Sequence, residues 1–196
     1  MDEMIDIYND NLEKTGVKSR SDVHKFGYRH KVVQCYIIQK EDKEKWIYFQ
    51  QRSFDKSNYP GLYDIACAGH ISSGESPELS MVRELYEEVG IKADEFDFIY
   101  AGRKFEEKNH DDILDDEICE LYVLKISDDN IFKPGEEVED IVKASLENYM
   151  LWISGTREEL ECFSLKHRKI VSLNDHNICG HIREYNKELM DSIIKA

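Results

Sequence analysis

Positive charge is scarce in this chain. Its 26 lysines and arginines face 41 aspartates and glutamates, a formal net charge of −15. A field of that sign opposes nucleic acid and anionic membranes, and it opposes phosphate compounds unless local cations recruit them. No apolar run approaches the roughly 20 residues that a bilayer span needs. The opening MDEMIDIYND is acidic and has neither the basic stretch nor the long apolar core of a secretory signal. Cysteine is sparse and unpatterned: Cys35, Cys67, Cys119, Cys162 and Cys179 are odd in number and contain no CxxC pair. That argues against a disulfide framework or a cysteine zinc site, and for reduced thiols in a cytoplasm. Repeats and low-complexity linkers are missing as well.

What is present suits a single folded domain spanning residues 1–196, since 41% of the residues are hydrophobic. Strands are expected within residues 1–60: Glu3–Tyr8 with a turn near Asn9, Asp10 and Asn11, then KVVQCYII at 31–38 and WIYFQQR joined by the charged turn EDKEK, a hairpin. Tyr63–Ile71 is extended. Phe96–Gly102, Ile118–Ile126 and Val138–Ala144 read as further strands, and Ser145 as the cap of a helix through Ser154. In the tail, Ile178, Ile182, Tyr185, Leu189 and Ile193 recur at helical spacing, so 155–196 reads as a helical extension.

Residues 69–91, GHISSGESPELSMVRELYEEVGI, carry the most chemistry. Ser76, Pro77 and Glu78 form a helix start, and Gly90 is a helix stop. Leu79, Val82, Leu85, Tyr86 and Val89 recur at helical spacing and are expected to face the core. Glu84, Glu87 and Glu88 lie at i, i+3 and i+4, so three carboxylates share one helix face. Arg83 can reach Glu87 but cannot neutralise three acids. A solvated acidic face is the plain alternative; a hard divalent cation such as Mg2+ or Mn2+ answers the charge problem directly.

The stretch fits G-x5-E-x7-R-E-U-x-E-E-x-G-U, with U aliphatic, at Gly69, Glu75, Arg83, Glu84, Leu85, Glu87, Glu88, Gly90 and Ile91. In this it resembles the Nudix hydrolases, over roughly residues 3–155. The resemblance implies an α/β/α sandwich with a mixed β-sheet, here with a C-terminal helix. It also implies hydrolysis of a diphosphate linked to another moiety, a metal held by Glu84, Glu87 and Glu88, and Glu84 positioning or deprotonating the water. Glu75 and Arg83 would orient the helix and its preceding loop. A late acid, Glu137 or Glu120, is a further candidate ligand or base.

QRSFDKSNYPGLYD at 51–64, AGHISSGES at 68–76 and the series His24, His30, His70 resemble isopentenyl-diphosphate isomerase and its hydrolase-like relatives. That resemblance implies a second metal site of His24, His30, His70, Asp115 and Glu117, with Asp115 in place of a glutamate. It also implies diphosphate binding by Arg52 and Lys56. The isomerase cysteine before the Gly-His pair is here Ala68; Cys67 is displaced by one, which in an extended segment turns it to the opposite face. The reading is a cytoplasmic, metal-dependent hydrolase of a small-molecule diphosphate, a pyrophosphatase in type, with nucleoside diphosphate-like compounds as candidate substrates. Prenyl-diphosphate isomerase and a non-catalytic diphosphate sensor are the alternatives. Tyr59, Tyr63 and Phe105 are candidates to stack a base, line a prenyl channel or fill the core. Neither nucleic acid nor membrane is expected as a partner, and a homodimer is compatible with this reading.

Overall fold

The computed structural model describes residues 2–110, 113–183 and 187–195. Its organising element is β3 (His30–Glu41), whose β-branched and aromatic residues are buried on both faces along most of its length. β3 runs parallel to β8 (Ile113–Ile126) and antiparallel to both β4 (Glu44–Arg52) and β6 (Cys67–His70), so the sheet is mixed. The sheet continues from β4 through β9 (Val138–Ser145) and β10 (Leu160–Ser164) to β11 (Ile170–Leu173). On the other side it passes through β1 (Met4–Tyr8) to β2 (Lys14–Ser19), while β5 (Tyr63–Ile65) adds to β4 and β7 (Phe98–His110) to β8.

The period of two along β3 divides the core. Val33, Cys35 and Ile37 pack with Met81, Leu85 and Val89 of α2 (Pro77–Val89). Val32, Tyr36 and Ile38 belong to the opposite layer, with Tyr149 and Trp152 of α3 (Leu146–Ile153) and Leu189, Met190 and Ile193 of α4 (Lys187–Lys195). This is the expected α/β/α sandwich. Among the described residues, no helix is long and apolar enough to cross a membrane.

The helix starts act as their sequences imply. The Ser76 hydroxyl accepts from Leu79 N with Pro77 in the first turn, and Gly90 closes α2 in the left-handed conformation at φ 71°. Ser145 caps α3 by accepting from Asn148 N. The expected inward face of α2 is corrected. Leu79 and Tyr86 are exposed, whereas Ser80, Met81, Leu85, Glu88 and Val89 are buried. The helix is rotated so that Glu88 enters the protein, which swings Leu79 and Tyr86 outward.

The tail is also corrected. Residues 155–196 are not one helical extension: they hold β10, β11, a 3-10 turn at Gly180–Arg183 and α4. LECFS alternates buried and exposed residues as a strand does, a period that tail-wide helical spacing obscured. Ile178 pairs with Tyr63 as an added bridge, and Ile182 sits in the 3-10 turn. Leu189 and Ile193 do lie on α4, while Tyr185 falls outside the described residues. Between β2 and β3, the short α1 (Arg20–Phe26) was not anticipated; Ser19 caps it by accepting from Asp22 N, and Gly27 ends it at φ 65°.

The rotation of α2 has a measurable consequence. Leu85→Ala should lower unfolding free energy by about 2–5 kcal/mol, as for other buried leucines. Tyr86→Ala should change it by no more than about 0.5 kcal/mol, as at an ordinary surface site. Urea denaturation of the two variants decides this; equal losses would mean that both side chains are buried.

Candidate active site

β3 pairs with β6 over Val32–Cys35 and with β4 only over Ile38–Glu41. Strands β3, β4, β5 and β6 all contribute to the wall of a cleft of about 510 Å³, together with α1, α2 and the 53–62 connection. Glu84, Glu87 and Glu88 all line it, so the three carboxylates meet in one place.

Their environments differ. Glu88 is 5% exposed, and its Oε2 accepts from Gln50 Nε2 and from Ala68 N, both at 3.1 Å. Burial, reinforced by the neighbouring Glu84 charge, pushes its pKa up to about 7. Burial likewise raises Glu84 to about 7, against the opposing pull of Arg83. Glu87 is the outermost, its side chain 59% exposed. Gly69 explains how Glu84 fits: a Cβ at that position would lie 2.0 Å from Glu84 Cδ. The conformational freedom of glycine is not at issue there; the empty volume is.

Arg83 links the helix to its preceding loop. It donates to Glu84 Oε1 at 2.6 Å, to the His70 carbonyl at 3.0 Å and to Glu75 Oε2 at 3.1 Å. Glu75 also accepts from Ser80 Oγ at 2.6 Å. Glu75 thus holds the guanidinium, which in turn holds Glu84 beside Gly69.

A second cluster adjoins the first. His24, His30 and His70 converge, with ligand atoms all within 4.8 Å of one another. His24 Nδ1 donates to Asp115 Oδ1 at 2.5 Å, and its Nε2 faces His70 Nε2 at 3.0 Å. His30 Nδ1 donates to the Tyr28 carbonyl at 2.9 Å, which leaves Nε2 as a lone pair. That Nε2 is buried without a hydrogen-bond partner and lies 3.9 Å from Glu117 Oε1. Burial lowers the pKa of both His30 and His70, so they are held as neutral imidazoles, the form that ligates metals. Neutral nitrogens beside two carboxylates form a donor set that fits a divalent ion.

Arg52 and Lys56 line the same cleft, though neither is free. Arg52 donates to Asp64 Oδ2 at 3.1 Å and twice to the Asn58 carbonyl, at 3.2 and 3.1 Å. With five N–H donors, a guanidinium so held still has two to offer. Lys56 is paired with Glu137, which also lines the cleft. Glu120 is elsewhere, locked to Arg103 and Tyr100. Of the aromatic candidates, Tyr59 lines the cleft in a left-handed conformation at φ 53°, Tyr63 is a core residue and Phe105 is exposed outside the cleft. Ala68 lines the cleft, whereas Cys67 is fully buried on the α2 side, where burial raises its thiol pKa well above the usual range.

Several lining residues escaped sequence reasoning: Arg20, Glu3, Asp64, Asn58 and Gln34. Arg20 had a legible signal, since it precedes His24 by one helical turn behind a serine cap. The others lie on strands or loops whose pairing the chain does not announce.

The sequence profile of the NUDIX domain matches residues 28–161. An uncharacterized Nudix hydrolase of Clostridium acetobutylicum is 35% identical over 148 residues, covering 74% of this chain and 71% of that protein. An isopentenyl-diphosphate Delta-isomerase of Corynebacterium diphtheriae is 26% identical over 137 residues, covering 65% of this chain and 70% of that protein. A crystal structure from Deinococcus radiodurans superposes with a TM-score of 0.60 at 20% identity, covering 78% of this chain and 90% of that one, a likeness of fold.

The paired buried carboxylates set a pH dependence. A carboxyl raised from 4.5 to about 7 on folding stabilises the protonated protein. That contribution is full below the unfolded value and is lost as pH rises through about 7. In chelator, the thermal midpoint referenced to a Glu84→Gln, Glu88→Gln double variant should therefore fall between pH 5 and 8. Excess magnesium should flatten the curve. Thermal melts across that range check it; a referenced midpoint that rises with pH would contradict the assigned burial.

Proposed function

The chain belongs to the Nudix family of hydrolases, which act on diphosphate bonds, and on that premise we propose that it cleaves a small-molecule diphosphate ester with a divalent cation, magnesium or manganese, held by Glu84, Glu87 and Glu88. The observation that carries this reading is three carboxylates of one helix, Glu88 buried and Glu84 half-buried, lining a single cleft that arginines also line. Such a cluster is costly unless a cation joins it. When bound, that cation offsets charge on the phosphoryl oxygens and on the leaving group.

The roles of the chain's own residues follow from their positions. Arg83, fixed by Glu75, keeps Glu84 turned into the cleft. Glu84 is our candidate to take the proton of the attacking water, since Arg83 and the gap at Gly69 hold its carboxylate at the cleft. Water adds to one phosphorus, the bond from that phosphorus to the bridging oxygen breaks, and two phosphorylated products leave. Arg52, held against Asp64, keeps donors for the diphosphate, and Arg20 and Lys56 add positive charge to the same wall. These cations offset locally the repulsion that a net charge of −15 imposes on an anionic substrate. His24, His30, His70, Asp115 and Glu117 are proposed to hold a second cation, which the lone pair on His30 Nε2 supports. Five buried cysteines, none in a disulfide, suit a reducing compartment, the cytoplasm in our reading.

Removing a carboxylate tests the first site. Glu87→Gln or Glu88→Gln should lower phosphate release by about a hundredfold or more with the fold retained, and chelator should do the same. Arg52→Ala should instead act chiefly on KM, because it would bind the diphosphate in ground and transition states alike. Steady-state kinetics with nucleoside, sugar and prenyl diphosphates provide both readings. Full activity of a Glu87→Gln, Glu88→Gln double variant would end the proposal.

The isomerase reading predicts a different signal. With alanine facing the cleft and Cys67 turned into the core, incubation with isopentenyl diphosphate in deuterated water should leave the carbon positions unlabelled by NMR. Label that enters carbon, and stops in Cys67→Ala, would replace hydrolysis with isomerisation.

A further inference from the structure

One buried polar group in the cleft has no role in the chemistry above. Gln34 is 3% exposed and lines the cleft, and its Oε1 is buried without a hydrogen-bond partner. It follows His30 and Val32 at intervals of two along β3, so the three share a strand face. Its cross-strand neighbours are Ala68 on β6 and Leu121 on β8, neither of which has a polar side-chain atom. Val32, two residues before it on the same face, also lines the cleft.

The position of that carboxamide relative to the acids is defined. Ala68, directly opposite Gln34 in the β3–β6 ladder, gives its N–H to Glu88 Oε2 at 3.1 Å. Adjacent strands lie about 4.8 Å apart, so Gln34 stands one strand beyond the residue that carries the acid contact. A ligand at the carboxylates whose attached group passes Ala68 would meet Gln34. Buried polar side chains are nearly always hydrogen-bonded, and an orphan inside a binding cleft awaits a ligand atom.

We propose that Gln34 is a specificity-determining residue that hydrogen-bonds a hydroxyl group on the moiety attached to the diphosphate, so that the substrate is a hydroxyl-bearing diphosphate ester of the nucleoside or sugar type. This rests on the reading of the cleft as a diphosphate site. A hydroxyl both donates and accepts, so it pairs with a carboxamide in either orientation. A hydrocarbon tail in the same place would strip Gln34 of water and leave it unpaired. Sites built around a substrate hydroxyl reject analogues that lack one by this means. Val32 and Ala68 would pack against the carbon skeleton.

The test uses Gln34→Met, which keeps length and removes polarity, and ligands whose bridging oxygen is a methylene, so that turnover cannot interfere. With magnesium present, calorimetry compares α,β-methylene adenosine diphosphate, the methylene-bridged isopentenyl analogue and bare methylenediphosphonate. The substitution should weaken the nucleotide about 10- to 100-fold and leave bare methylenediphosphonate within about twofold, while the isopentenyl analogue holds or gains affinity. The unliganded variant should also melt about 2–4 °C higher, because an unpaired buried amide has been removed; a purely structural glutamine would lower the melt. Unchanged nucleotide affinity, or equal loss for all three ligands, overturns the assignment. Failure of bare methylenediphosphonate to bind, with the nucleotide effect intact, leaves Gln34 standing and overturns the diphosphate reading instead. If Gln34→Met does not fold, Gln34→Asn withdraws the amide by one methylene and is read by the same comparison.

Discussion

The structure turns on two carboxyl groups of one helix drawn toward the same cleft, Glu88 buried and Glu84 half-buried. Glu84 lies against Gly69 where any side chain would collide, and Glu88 lies beneath Ala68 and Gln50. Bringing such groups together is unfavourable, and three devices in the fold make it tolerable. The first is the capped helix that carries both acids. Arg83 and Glu75 tie that helix to its loop. β6 supplies both the glycine gap and a backbone N–H. Each device depends on the others, which is why the signature residues occur as a set.

The acidic helix face and the imidazole cluster are linked by one strand. β6 carries His70 toward the imidazole cluster, Gly69 toward Glu84, Ala68 toward the cleft and Cys67 toward the α2 layer. Four consecutive residues thus face an imidazole cluster, the acidic helix, the cleft and the core. Strand alternation accounts for the assignment, and it also explains why a cysteine displaced by one position faces the core and not the cleft. β3 does the same on a longer scale, with His30, Val32 and Gln34 on one face and Val33 and Cys35 on the other.

The strands at 31–38, 118–126 and 138–144 and the capped helices after Ser76 and Ser145 were legible because their local signals agree: β-branched runs, serine caps and a glycine stop. The inward face of α2 was misjudged because apolar spacing ranks Leu79 and Tyr86 as core while ignoring that Glu88 must be buried to serve the cleft. β10 and α1 were missed for want of contrast, one hidden in a tail with helical spacing and the other too short and polar for periodicity to register. Fold class and the family relation came through because the signature encodes a charge problem as well as a shape.

Residue order alone established which acids share a helix face and which glycines punctuate that helix, since each follows from spacing along one element; the empty cysteine position came from the resemblance to the isomerase. It could not establish that His24, His30, His70, Asp115 and Glu117 converge, that Arg52 rests on Asp64 or that Gln34 stands unpaired in the cleft. The histidine cluster and the setting of Gln34 depend on the register of β3 against β6 and β8, a contact between segments more than thirty residues apart, and Arg52 meets Asp64 through the pairing of β4 with β5. Pairing across such distances is decided by the packing of the whole sheet, and no local pattern carries it.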